Sequence, residues 1–311
     1  MGRAQGKGSR SVSKRAGLAL LALCLSFSAW AWNGTGHRLI AHIAWQQLSP
    51  KEQTTLGKWL QRHPDYFHWI KHRAAYPGAT PSYVAFVEAS TWADDIRRQH
   101  QDSPSEDSIS PFTEAGELES HPQWHFQDGA RSGSEAGQLA LALATLPEQL
   151  SAQGNRAPLA LVWLEHLVGD AHQPLHAWSR DLPSGQSDRG GNGLTLTGEA
   201  TAGKDANLHA YWDELPGPKG LRGAALAHRA EELTQRCPLS EGKQSPTRWL
   251  QESQDLAKTV AYGGLPLTPP VVLSPAYASQ AQQVAALQIC KAGKRLGALL
   301  HQQLRNGDFP Q

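Results

Sequence analysis

His166 and Asp170 stand four residues apart, and the same offset recurs at His209 and Asp213. On a helix that spacing puts both side chains on one face. Pro174 cannot continue the helical ladder and disfavours helix at the residue before it, so the chain turns there and brings His176 back towards the first pair. An imidazole, a carboxylate and a returning imidazole are the donors a divalent metal uses. His37, Asp94 and His125 complete the candidates, making five histidines and three aspartates in motif-like settings. Each alone has a plain explanation, such as an exposed helix residue for His37, a helix-start acid for Asp94 or a core histidine for His125. Two pairs and a further histidine together point to metal.

These residues must be carried by elements the sequence also predicts. Gly36 to Trp45 alternates apolar and polar residues at helical period. Ser49-Pro50-Lys51-Glu52 offers a cap, a proline at the first helical position and an acid in the first turn, starting a helix that runs to about Arg62. Residues 74 to 82 are rich in Pro, Gly, Ala and Ser and read as a loop, with the next helix beginning near Ser90 and carrying Trp92, Asp94 and Arg97. Residues 103 to 119 read as a polar surface loop. Helices are expected over 134 to 146, ending before Pro147, and over 159 to 169. The second is apolar on nearly all sides and therefore central. Gly190 to Thr197 is the one good strand or hairpin signal. Further helices are expected over 221 to 235, 245 to 261 and 275 to 306. The fold class is all-α, a mainly helical single domain with a short β-hairpin.

The first residues carry Arg3, Lys7, Arg10, Lys14 and Arg15 without an acid, followed by the apolar run Leu18 to Leu25 and by Ala29-Trp30-Ala31. This reads as a secretory signal, residues 1 to 31, cleaved after Ala31 and leaving one domain over 32 to 311. The run is short of the ~20 residues a membrane span needs, and bulky Leu23 speaks against a lipid attached at Cys24. Removing the leader lowers Lys+Arg from 29 to 24 against 28 acidic residues, a net charge of −4. No basic patch advertises nucleic acid, so any phosphate-binding field must be local. Cys237 and Cys290 remain, and two cysteines in an exported chain point to one disulfide rather than to catalysis. The expected location is periplasmic or extracellular.

Trp32 with Gly36-His37, Trp92-Ala93-Asp94-Asp95-Ile96-Arg97, Trp124-His125-Phe126, the stretch His166 to His176, Gly190-Gly191-Asn192 and the stretch Asn207 to Asp213 occur in the order seen in one family. The chain from Trp32 to Asp213 resembles the zinc-dependent, single-strand-specific nucleases of the S-one/P-one type. The resemblance implies three zinc ions. Asp94, His125, His166 and Asp170 would hold the first, and His176, His209 and Asp213 the second. Trp32, through its free amino group and carbonyl, would join His37 and Asp170 around the third. An amine still inside a peptide bond has no lone pair to donate, so signal cleavage would be a condition of activity.

The resemblance further implies hydrolysis of single-stranded DNA and RNA to 5′-mononucleotides, with 3′-nucleotidase activity, by metal-activated hydroxide attack on phosphorus and cleavage of the P–O3′ bond. Asp94 would orient the nucleophile, and Arg97, three residues on, would bind phosphate. Phe126 would stack on a base while Asp128 accepts its amino hydrogens, and Asn192 would line the cleft. His172 is a candidate to orient a ligand. Single-stranded nucleic acid and 3′-nucleotides are the expected partners, with no membrane insertion and no protein partner. Two alternatives stay open at this point. A zinc-dependent phospholipase C resembles this pattern but ends in Glu where Asp213 stands and lacks the setting of Phe126 and Asp128. A non-catalytic envelope zinc protein would need closed four-ligand sites, which about ten donors cannot supply to three ions.

Overall fold

The computed structural model describes residues 1–2, 32–102, 120–150, 156–198, 206–237 and 245–306, with side chains at 98–102 and 306 excepted. The proposed signal and the 103–119 loop therefore lie outside the described residues, apart from the first two.

The first helix, α1 (Gly34–Trp45), begins where the Asn33 side chain accepts the backbone N–H groups of Thr35 and Gly36, closing two of the donors that a helix start leaves open. The next, α2 (Pro50–Leu60), has the full reciprocal box: Ser49 accepts from Glu52 N, and the Glu52 carboxylate accepts from Ser49 N at 2.7 Å. A short α3 (Tyr66–Ile70) runs into a 3-10 turn (Lys71–Ala75). Where composition predicted a loop to residue 82, the chain instead forms α4 (Pro81–Ala89). Thr80 caps it by accepting from Tyr83 N, and Pro81 sits at its first position. The proline that reads as a breaker is here a helix starter.

Beyond α5 (Trp92–Asp102), 3-10 turns occupy Pro122–His125 and Gly133–Ala136. The helix expected from 134 starts later, as α6 (Leu139–Gln149), because Gly137 takes φ 76° and breaks the run. It also passes through Pro147, which lies close enough to its end to disturb little of the ladder. The apolar segment becomes α7 (Arg156–Asp170), buried from Ala157 to its last residue. It packs against α1, α5, α6 and the terminal helix α11 (Pro275–Asn306). Between them come α8 (Leu208–Glu214), α9 (Gly223–Gln235) and α10 (Pro246–Leu256), the last continued by a π turn (Ala257–Ala261).

Among the described residues the only sheet is a three-stranded patch in the order β2-β1-β3, formed by β1 (Thr195–Thr197), β2 (Ala206–Asn207) and β3 (Val271–Val272). The β1–β2 pair is antiparallel, with Thr195 opposite Asn207. The parallel partner β3 gave no sequence signal, being two residues long. One continuous apolar core runs through the helices. α1 lies against α11 so closely that a Cβ at Gly293 would sit 2.6 Å from Ile43 Cβ, so only glycine allows this approach. Cys237, after α9, is disulfide-bonded to Cys290 in α11. No described helix is long and apolar enough to cross a membrane.

Candidate metal centre

Helix α1 contributes His37, α5 contributes Asp94, and the 3-10 turn before Phe126 contributes His125. His166 and Asp170 come from the last turn of α7, His176 from the turn Pro174–His176, and His209 and Asp213 from α8. All eight are buried. The proline that ends α7 does what its position predicts: His176 Nδ1 comes within 3.8 Å of Asp170 Oδ1.

The donors fall into three buried groups: His37, Asp94 and His166; His125, His166 and Asp170; and His176, His209 and Asp213. Within them His166 Nε2 lies 3.7 Å from Asp94, 3.4 Å from Asp170 and 3.2 Å from His125 Nδ1. His125 Nδ1 is 3.0 Å from Asp170 Oδ2, His37 Nε2 is 3.7 Å from Asp170 Oδ1, and His209 Nε2 is 3.6 Å from Asp213 Oδ2.

The tautomers are fixed from behind. His166, His176 and His209 each donate their Nδ1–H to a backbone carbonyl, those of Ser90, His125 and Gly190 respectively. Each therefore turns its Nε2 lone pair towards the centre. The Nε2 atoms of His176 and His209 consequently face one another at 3.2 Å. Two lone pairs repel at that distance, and a cation between or beside them turns the repulsion into ligation. Among the described residues, neither ring nitrogen of His37, nor Asp170 Oδ1, nor Asp213 Oδ2 has a hydrogen-bond partner. Buried polar atoms are rarely left so.

The titration of the cluster follows from the same burial. Desolvation, then repulsion from neighbouring imidazoles, holds His37 and His125 well below the usual histidine range. Desolvation also pushes Asp170 and Asp213 well above the usual carboxylate range, with nearby Asp94 adding to it. Burial thus keeps His37 and His125 neutral and works against the ionised forms of Asp170 and Asp213, so a divalent cation would supply the positive charge that those carboxylates lack. The donor set fits a metal centre.

Arg97 lies near enough for its charge to act on both His125 and Asp170, lowering the pKa of each. Phe126 directly follows His125 and rests its ring against Gly137. Asp128 is already engaged: Oδ1 accepts from Ala130 N and Ser179 N, and Oδ2 from Ser179 Oγ. Asn192 donates to Arg189 O, stabilising the turn that carries Gly190. Trp32 is fully buried beside α1.

His172 does not contact the ligands. Its Nδ1 bonds to Val168 O and its Nε2 accepts from Arg295, on the α11 side of the motif. Orientation of a ligand falls to its neighbour Gln173, whose Nε2 donates to Asp213 Oδ1 at 2.8 Å. Spacing gave no hint of this, and in the structure Gln173 also caps the Pro174–His176 turn. His42 and His63 stand apart from the cluster, against Tyr83 and between Trp69 and Trp92.

Residues 32–305 match the family model described as S1/P1 Nuclease. Nuclease S1 of Aspergillus oryzae is 26% identical over 312 residues, covering 89% of this chain and 93% of that protein. Nuclease P1 of Penicillium citrinum is 26% identical over 290 residues, covering 85% and 95%. Endonuclease 4 of Arabidopsis thaliana is 28% identical over 158 residues, covering 46% and 49%.

Proposed function

Since the chain belongs to the S1/P1 nuclease family, and so is a hydrolase of nucleic-acid phosphodiester bonds, we propose that it is a zinc enzyme with three ions per chain. It cuts single-stranded DNA and RNA to 5′-mononucleotides and removes 3′-phosphates from nucleotides. The observation that carries this reading is the buried group of His176, His209 and Asp213, with the two Nε2 atoms 3.2 Å apart and Asp213 Oδ2 without a hydrogen-bond partner among the described residues.

His176, His209 and Asp213 hold one ion; Asp94, His125, His166 and Asp170 hold another. His166 also lies within reach of His37, but its Nδ1 is committed to Ser90 O and a single Nε2 lone pair serves one ion. His37 therefore needs donors from elsewhere, and Asp170 Oδ1 with the amine and carbonyl of Trp32 supplies them. That amine exists only after cleavage behind Ala31, so residues 1 to 31 are a removable signal and the mature protein is exported. The family match beginning at residue 32 and the disulfide agree with this.

Bound zinc lowers the pKa of water from ~15.7 to ~7 and offsets charge on the reacting phosphate. The protein's own groups set the geometry. Asp94, at the edge of the cluster, aligns the attacking water. Arg97 grips the phosphate and steadies the charge that grows on its oxygens. Phe126 stacks on one base, worth ~1–3 kcal/mol and tolerant of sequence. Asp128, held by Ser179, accepts the amino hydrogens of that base, and Asn192 lines the cleft at the Gly190 turn. A base at Phe126 has left its stack, which a duplex resists by a few kcal/mol, and single strands are preferred for that reason.

The test compares protein beginning at Trp32 with protein carrying one extra residue ahead of it. The first is expected to hold about three zinc ions per chain and to lose activity on single-stranded DNA with chelator, regaining it with zinc. The extended form is expected to lose an ion and most activity. Equal zinc and equal rates in the two forms would overturn the Trp32 assignment.

A further inference from the structure

Beside the metal centre a cavity of about 500 Å³ opens between α1, the α3 region and the segment after α8, and Asp94 lines both it and the centre. Phe126 is not among its lining residues, so this space is separate from the base position proposed above. We propose that it is a second nucleotide subsite, taking the residue of a single strand that lies across the scissile phosphate from Phe126. The inference rests on the nuclease reading of the Asp94 cluster.

Cationic groups crowd one wall. Arg222 binds the Glu88 carboxylate through two nitrogens, at 2.7 and 2.8 Å, and Arg38 Nε donates to the same group at 3.1 Å. Two guanidinium ions share one carboxylate, so this trio carries one net positive charge. Lys219 also lines the cavity, 74% exposed and paired with exposed Glu214. Asp94 and Asp95 also line the cavity; Asp94 has its charge taken up once the cluster is loaded, and Asp95 accepts from Thr91 Oγ1.

Rings line another part of the cavity: Trp69, which is buried, and His68, which is exposed. An exposed imidazole ring in a cavity that also presents Arg38, Arg222 and Lys219 has the composition of a single-strand site, where bases stack on planar rings while cations follow the backbone. The volume falls within the ~300–1,000 Å³ of small-molecule sites.

The experiment uses the mature protein and the His68→Ala, Lys219→Ala double variant, both sites being exposed, lining the cavity and outside the metal cluster. Binding of a fluorescent phosphorothioate oligonucleotide, which resists cleavage, is followed by anisotropy, and hydrolysis of a 3′-mononucleotide is measured alongside. The mononucleotide lacks the residue this subsite would hold. The variant is expected to bind the oligonucleotide about tenfold more weakly, as loss of a stacking ring predicts, with the slope of log affinity against log salt falling by ~0.7 for one lost phosphate contact. Its kcat/KM on the mononucleotide is expected to stay unchanged. Unaltered oligonucleotide binding, or equal losses on both substrates, would overturn the subsite. A wild-type protein that binds the strand but hydrolyses neither the mononucleotide nor an unmodified single-stranded oligonucleotide would overturn the nuclease reading and leave the subsite standing.

Discussion

One methyl group at Gly169 is expected to disable the metal centre while leaving the fold nearly intact. Gly169 lies in α7 between the ligands His166 and Asp170, and a Cβ there would sit 2.8 Å from His37 Nδ1, 2.9 Å from its Cε1 and 3.1 Å from Ile40 Cδ1. Ordinary contact needs ~3.5–4.0 Å, so Gly169→Ala drives the imidazole back by roughly 0.5 to 1 Å. The ring has little freedom to comply, because its face is stacked on His166 at 3.9 Å and 9°. Overpacking of this kind costs about 1–3 kcal/mol, and the better helix propensity of alanine offsets ~1 of that, leaving a loss of about 0 to 2 kcal/mol. The displacement nevertheless exceeds the ~0.2 Å tolerance of ligand distances several-fold. Zinc per chain, measured by elemental mass spectrometry, is expected to fall by one ion. A 1 Å misplacement near the chemistry costs ~100-fold, and kcat/KM on single-stranded DNA is expected to fall by that order. A Gly169→Ala protein with its full zinc complement and wild-type kinetics would refute the reasoning.

Two further outcomes follow from parts of the molecule away from the centre. The Cys237–Cys290 bridge closes a sequence separation of 53, which chain entropy values at ~4 kcal/mol; replacing both cysteines with alanine should lower the calorimetric midpoint by roughly 10 °C, and an unchanged midpoint would mean the bridge does not act in solution. His63, held between Trp69 and Trp92, is pushed down to about 3 by burial. The unfolded chain takes up that proton below pH ~6.5 and the native chain does not until about 3, so stability is lost as pH falls through this window, approaching ~1.4 kcal/mol per pH unit. Denaturation of His63→Leu between pH 6 and 5 should show a slope shallower than wild type by about that amount, and an equal slope would sink the assignment.

The sequence pattern carried the local part of the site. The four-residue offsets at His166/Asp170 and His209/Asp213, with a proline stop between them, encode geometry within one helix turn, and the structure brings each pair together. What joins His37 to Asp170 is the crossing of α1 with α7, which no window of sequence contains. The same limit hid Gln173 and misdirected His172: adjacent residues leave a turn in opposite directions, one to Asp213 and the other to Arg295. Glu88 as the hub of Arg38, Arg222 and Tyr76 depends on three separate segments. Helix α4 was missed because Pro81 carries two meanings, and only the Thr80 cap tells them apart. With two cysteines left after the leader, a disulfide had one possible pairing.

The glycine-mediated seam between α1 and α11 ties the front of the described domain to its rear without using any metal donor. On the proposed zinc reading, a shelf anchored in this way would keep its shape when stripped, the ions coming and going on a standing frame rather than condensing one. Cation exchange would then be limited by access to the cleft, and a depleted molecule would be a reusable blank instead of a casualty.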